Sequence, residues 1–492
     1  MTYSVSKASV IALYVLLLAC GTFITSCFDE EFIETASVEV TFSIDTLRFD
    51  TVFTSLGSAT RSFSFKNTTD QNLLIDAVRL KKGDQSMFRM NVDGIPANEV
   101  NNIRLLANDS IRVFVEVTVD PDQPISVSPF VIRENIEVVV GSQISTMTLE
   151  AFGQNANYFP SRDAAGQIIG ISCENENVVW DDPKPYVVYG LLIIEDCNLS
   201  IRPGTQVYVN GGIALSDSVL FQDGGLFFAA GGRLECLGTV QDPIQIQGSR
   251  LEPSFEEVAG QWAGIRFLAG SISNVITNTL IKNSVVGVRV DSAAQVDLLN
   301  VQIRNTTGIG LIGIHSEIRA TNTLIHSNGP QSIALVYGGS YEFSHCTMAN
   351  YRNQSPAVFM DNFDCVSADC ASVVTNPLEA TFTNSIIMGS NDDEIEVLDI
   401  SDGADPELLQ LRLDHTLLRV LETKENYPES SCQNCFEYME GSVFRDEANA
   451  NFRLDSMSIA LDVGRPLQEV DVDITGSPRD PESPDLGCYE MR

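Results

Sequence analysis

Three cationic or titratable side chains, Lys282, Arg304 and His326, recur at intervals of 22 residues, each as the fifth residue of a near-copy of one short phrase. If the phrases stack, these side chains form one outward column, and such a column can cradle the carboxylates of an extended acidic glycan such as a polyuronide. The plainer reading is that outward strand positions are simply polar. A second set, Asp361, Asp364 and Asp369 with Arg352 nearby, supplies the carboxylate oxygens that Ca²⁺ takes and a base beside them. Its spacing matches no metal-loop motif. No Ser-His-Asp or P-loop pattern accompanies either set, so no catalytic residue is assigned.

The elements that would position these residues are written in the same phrases. Asn278-Thr279-Leu280-Ile281-Lys282, Asn300-Val301-Gln302-Ile303-Arg304 and Asn322-Thr323-Leu324-Ile325-His326 each alternate with period two, which makes each one short strand. A period in the low twenties with strand content predicts a solenoid. Leucine-rich repeats share the period but need Leu-x-x-Leu-x-Leu, whereas β-branched residues, Asn and Gly dominate here, so a parallel β-helix fits better. Asn278, Asn300 and Asn322 then form a structural ladder with no catalytic role. Weaker copies begin at His345, Asn384 and His415, so His345 and His415 take the Asn position. The spacing widens after His345, and the extra residues fall near Asp361 to Pro377, where an inserted loop is expected.

The amino terminus points to export. Lys7 precedes an apolar run from Ala8 to Ala19, then Ile24-Thr25-Ser26-Cys27 places small residues before a cysteine. The run is too short for a confident spanning helix. This stretch resembles a bacterial lipobox, which implies lipidation at Cys27, removal of residues 1–26 and a membrane partner reached through the lipid. Cys20 is the competing acceptor, but Leu18 is too large two residues before it. Residues 27–37 read as an acidic tether, equally well a plain solvated linker or a surface-export signal. The expected location is the outer membrane as a lipoprotein, with outward exposure left open.

Net charge is −36 for 492 residues, and loss of Lys7 with the leader makes it one unit more negative. Phosphate binding needs concentrated Lys and Arg, so nucleic acid is excluded as a partner. Of the 11 cysteines, Cys365 with Cys370 and Cys432 with Cys435 are placed to close local loops, or by spacing alone to form a four-thiolate zinc site. Cys346 falls at an inward strand position.

Residues 38–153 carry alternating strands near 38–44, 61–66, 111–119 and 136–140, separated by polar turns, which predicts a β-sandwich. Phe63-Ser64-Phe65-Lys66-Asn67, Ser110-Ile111-Arg112-Val113 and Ala151-Phe152-Gly153 resemble immunoglobulin-like domains of the hydin type, for which a spacer role is the default. Further on, Leu199-Ser200-Ile201-Arg202-Pro203-Gly204-Thr205, Gly238-Thr239-Val240-Gln241-Asp242-Pro243 and Gln261-Trp262-Ala263-Gly264-Ile265 resemble the opening coils of right-handed parallel β-helices of the pectate-lyase-like superfamily. Phe452-Arg453-Leu454-Asp455, Asp473-Ile474-Thr475-Gly476-Ser477-Pro478-Arg479 and Leu486-Gly487-Cys488-Tyr489-Glu490 resemble the choice-of-anchor Q segment that closes many such chains, with Ile459 where that family carries proline.

Together these resemblances imply an all-β chain: an immunoglobulin-like β-sandwich at 38–153, a right-handed parallel β-helix at 154–425 and a capping segment at 426–492. Such motifs specify architecture rather than activity. Three functions stay open: a surface that binds extracellular glycan, a polysaccharide lyase using Lys or Arg with Ca²⁺ as the resemblance implies, or a structural and adhesive module.

Overall fold

The computed structural model describes residues 32–33, 38, 40–53, 60–118, 130–160, 170–171, 177–211, 213–216, 219–222, 224–351, 353–367, 370, 372–421, 431–438 and 441–491. Cys27, Arg352 and Asp369 lie outside them. The chain divides into two compact units, Met1–Gln154 and Asn155–Arg492.

The first unit is an immunoglobulin-like sandwich of two largely antiparallel sheets. Ser110–Val117 shows why it forms. Ile111, Val113, Val115 and Val117 point inward and are buried, while Arg112, Phe114 and Glu116 alternate outward. Phe49, Phe65, Phe88 and Leu149 fill the space between the sheets.

The second unit is a right-handed parallel β-helix with three strand positions per coil. Face A stacks Gly225–Phe228, Gly264–Phe267 and Val288–Val290, then the first half of Leu311–Thr321. Face B stacks Arg233–Leu237, Asn274–Thr277 and Gln295–Leu299. Face C stacks Ile244–Gly248, Thr279–Lys282, Gln302–Arg304, Leu324–His326, Thr347–Asn350 and Ile386–Gly389. Ile281, Ile303, Ile325, Met348 and Ile387 make one inward column of face C, and all are fully buried.

The repeated phrase encodes the corner between faces B and C. Asn278, Asn300, Asn322, His345, Asn384 and His415 all have φ between 45° and 55°, the left-handed region that asparagine tolerates because its short side chain bonds locally. One residue turns the chain. The next residue then satisfies a carbonyl two residues back: Thr279 Oγ1 donates to Thr277 O at 2.9 Å, Thr323 Oγ1 to Thr321 O at 3.2 Å and Ser385 Oγ to Thr383 O at 3.0 Å. Cys346 Sγ does the same toward Ser344 O. Asn300 Nδ2 donates to Asn278 Oδ1 and Asn322 Nδ2 to Asn300 Oδ1, both at 3.1 Å, so the amides join consecutive coils.

The C-terminal residues pack against the outward side of face C. They run back along the outside of face C as a strap. Phe444, Phe452, Leu454, Leu486 and Cys488 cover Leu324, Ile386 and Leu417, which point outward from that face. Apolar burial of this kind stabilises by about 1.5–3 kcal/mol per large side chain. Polar contacts fix the register: Arg479 Nη2 donates to Asn322 Oδ1 at 2.8 Å, and Arg465 N to Asn384 Oδ1 at 2.8 Å. Cys365–Cys370 and Cys432–Cys435 are disulfides, which removes the zinc alternative.

Candidate functional site on the edge between faces A and B

Lys282, Arg304 and His326 do align in register, coil on coil. They are not an open cradle. The loop after Ile244–Gly248 folds over the first two, and Arg304 pairs through both Nη atoms with Glu257 at 3.0 and 3.1 Å. Lys282 Nζ lies 3.7 Å from Glu257 and donates to Glu256 O at 3.3 Å. Burial, with Arg304 beside it, holds the Lys282 ammonium below the usual lysine range. The strap covers the third member, where the His326 ring meets Phe452 at 4.9 Å between centroids. Burial lowers His326 to about 3, and Arg304 adds to the effect. Lys282 and Arg304 pair with Glu257 while His326 is a covered neutral ring, because segments distant in sequence cover an outward face.

The inserted loop is present as a hairpin, Phe363–Cys365 with Val373–Thr375. Of the three carboxylates expected to hold Ca²⁺, Asp361 and Asp364 are described. Asp361 Oδ1 accepts the Tyr337 N–H at 2.6 Å, whereas Asp364 is exposed on the hairpin. Among the described residues no group of three His, Cys, Asp or Glu is placed to hold a metal.

Asp361 belongs to a different cluster. At the corner between faces A and B the turning position is Gly231, Gly270 and Ala293 in early coils, then His315 (φ 45°) and Tyr337 (φ 61°) in the next two. For a large side chain this conformation costs on the order of 1–3 kcal/mol, and such strain gathers at ligand-binding and catalytic sites. The two rings touch, with centroids 5.7 Å apart. His315 Nδ1 is buried without a hydrogen-bond partner. Asp361, in the following coil, has its carboxyl pushed up by burial against the opposing pull of the Tyr337 and Phe363 backbone N–H groups, with Asp364 adding to the rise. Tyr341 is buried in the core beneath this edge, its hydroxyl donating to Gly338 O at 2.8 Å. A half-buried acid, an imidazole and an aromatic face therefore line one edge in three consecutive coils. The sequence signal was available: His and Tyr stand where a turn favours Gly or Asn.

Glu394 is an acid that spacing did not reveal. It is fully buried, and its carboxylate accepts Ala357 N at 2.8 Å and Asn391 N at 2.6 Å. Burial raises it to about 7. Both oxygens serve backbone groups, so its work is holding the corner between faces C and A.

A family model described as "Right handed beta helix region" matches residues 192–348. No curated protein matches the chain. Solved structures with some likeness include a family 123 glycoside hydrolase from Clostridium perfringens, studied for glycolipid glycan hydrolysis, at 8% identity and TM-score 0.18, with 23% of this chain and 26% of that one covered. A periplasmic alginate epimerase is 11% identical over 60% of this chain and 86% of its own, TM-score 0.28. The catalytic unit of a thermostable GH87 α-1,3-glucanase from Streptomyces thermodiastaticus strain HF3-3 is 10% identical over 75% and 70%, TM-score 0.26. The chain spans about a quarter of the first of these proteins, and likeness at these scores carries no argument about chemistry.

Proposed function

We propose that this chain is a lipid-anchored envelope protein whose β-helix binds an extended extracellular glycan along the edge between faces A and B. The carrying observation is the pair His315 and Tyr337, two bulky residues held in the left-handed region in adjacent coils with their rings in contact. Solenoid stacking repeats every ~4.8 Å, so groups on successive coils suit a linear polymer better than a compact ligand. The sandwich serves as a spacer between the anchor and this edge.

A glycan array on the full chain tests the reading. Tyr337→Ala is expected to weaken the best ligand about tenfold, the equivalent of 1.4 kcal/mol of aromatic contact, with the unfolding midpoint as a folding control. Unchanged affinity in a folded variant would sink the proposal. An enzymatic reading rests on Asp361, whose raised carboxyl could donate a proton. Steady product formation from the bound glycan that disappears in Asp361→Asn would favour it over binding alone.

Anchoring is expected at Cys27. Cys27→Ser should shift the protein from the membrane to the soluble fraction, and retention of Cys27→Ser with release of Cys20→Ser would move the site.

A further inference from the structure

Arg266 and Arg289 occupy one outward column of face A in consecutive coils. Asp291 stands beside both. Its Oδ2 accepts Arg266 Nε and its Oδ1 accepts Arg289 Nε, each at 2.7 Å. One carboxylate therefore braces two guanidinium groups by their inner nitrogens, and it is itself largely covered, at 13% side-chain exposure against 35% and 37% for the arginines. Among the described residues no protein acceptor is hydrogen-bonded to an Nη atom of either arginine.

A purely structural ion pair reads differently. Guanidinium normally satisfies a carboxylate through two parallel N–H bonds, and Arg304 does so with Glu257. Arg319 on face B sits among three carboxylates, Asp297, Glu317 and Glu342. At Asp291 two cations share one anion, which leaves a local surplus of one positive charge on a chain of net −36. Phe227, one coil earlier in the same column, lies 5.8 Å from the Arg266 guanidinium carbon and supports it. The chain also connects this group to the edge described above: Asp291 is two residues before Ala293, whose N–H bonds His315 O at 3.0 Å.

We propose that Arg266 and Arg289 form an oxyanion fork that takes the acidic substituent of the bound glycan, a carboxylate or a sulfate ester, and that Asp291 is its positioning residue. The inference rests on reading the edge of face A as the ligand-bearing side. Its Nη donors point specificity toward anionic over neutral polymers, and the brace spares the ligand the entropy of ordering two long side chains.

The test exploits the sign of a charge change. Asp291→Asn makes the protein one unit more positive, so general electrostatic attraction predicts equal or tighter binding of an anionic ligand. The fork predicts the opposite, a loss of about tenfold (1.4 kcal/mol), because the arginines lose their brace. Calorimetric titration of the full chain would use an oligouronate, a sulfated oligosaccharide and a neutral oligosaccharide of matched length, with the Arg266→Lys/Arg289→Lys double variant as a charge-preserving control. Weaker binding of either acidic probe by both variants, at an unchanged unfolding midpoint, supports the fork, and the preferred probe tells sulfate from carboxylate. Equal or tighter binding to Asp291→Asn overturns it. If Tyr337→Ala weakens binding while Asp291→Asn does not, the glycan edge stands and the fork falls. If no oligosaccharide binds, inorganic sulfate decides: a sulfate-dependent shift of the arginine Nε–H resonances, lost in Asp291→Asn, supports the fork, and its absence overturns it.

Discussion

Replacing Arg479 by Ala is expected to lower the unfolding free energy of the β-helix unit by about 3–5 kcal/mol, the cost of removing one partner from a buried ion pair. Arg479 and Glu490 are 2% and 6% exposed in their side chains and 3.2 Å apart. The same guanidinium donates to Asn322 Oδ1 at 2.8 Å and to Gly487 O at 2.9 Å. Its loss therefore strands a carboxylate, a carbonyl and the end of the asparagine ladder together, in the place where the strap is locked to the coils. Arg479→Lys keeps the charge but lacks the planar fork that reaches these separate acceptors, so it should recover only part of the loss. The readout is direct, because Trp180 and Trp262 are the only two tryptophans and both belong to this unit. Urea unfolding followed by tryptophan fluorescence reports the β-helix without the sandwich. A midpoint and slope equal to those of the parent would show that the strap is not energetically coupled to the coils.

What was legible in the sequence is what depends on near neighbours. The phrases that begin at Asn278, Asn300 and Asn322 carry strand, asparagine ladder and stacking period in their alternation and 22-residue spacing, whereas the left-handed corner and the hydroxyl that satisfies the carbonyl behind it emerge only from the structure. The alternation of Ile111, Val113, Val115 and Val117 likewise announced a half-buried strand. Coverage was not legible. Whether Lys282 and Arg304 meet solvent depends on Glu257, 47 residues before Arg304, and the fate of Asn322 depends on Arg479, 157 residues later. Period-two patterning assigns a side chain to the outside of a strand, but it cannot say whether another segment lies on that outside. The same gap hid the candidate edge. His315 meets Tyr337, and Tyr337 in turn meets Asp361, only through coil stacking. Asp291, Arg266 and Arg289 meet across two coils and share no local motif.

Acid should loosen the strap, and His326 allows that effect to be isolated. Burial under Phe452 lowers this imidazole to about 3, whereas an unfolded histidine titrates near ~6.5. The sign follows from linkage. Above pH ~6.5 both states are neutral and nothing is lost. Below it the unfolded chain takes up a proton that the folded chain refuses, so stability falls by about 1.4 kcal/mol per pH unit, on the order of 4 kcal/mol by pH 3. His345, held well below its ordinary value by burial with Arg479 close by, acts in the same direction. Glu394 opposes them: raised to about 7, it contributes stability that is fully present below its ordinary value of 4.5 and is lost as pH rises through 7. Wild-type stability alone therefore mixes opposite slopes between pH 4.5 and 6.5. His326→Phe keeps a ring against Phe452 and removes the titrating nitrogens, while His345 and Glu394 remain in both proteins and cancel in the difference. The unfolding free energy of His326→Phe minus that of the parent should hold constant above pH ~7 and climb by about 1.4 kcal/mol per unit as pH falls from 6.5 toward 4. A difference that stays flat across that range would mean that the His326 ring can accept a proton in place, and that the strap does not seal it.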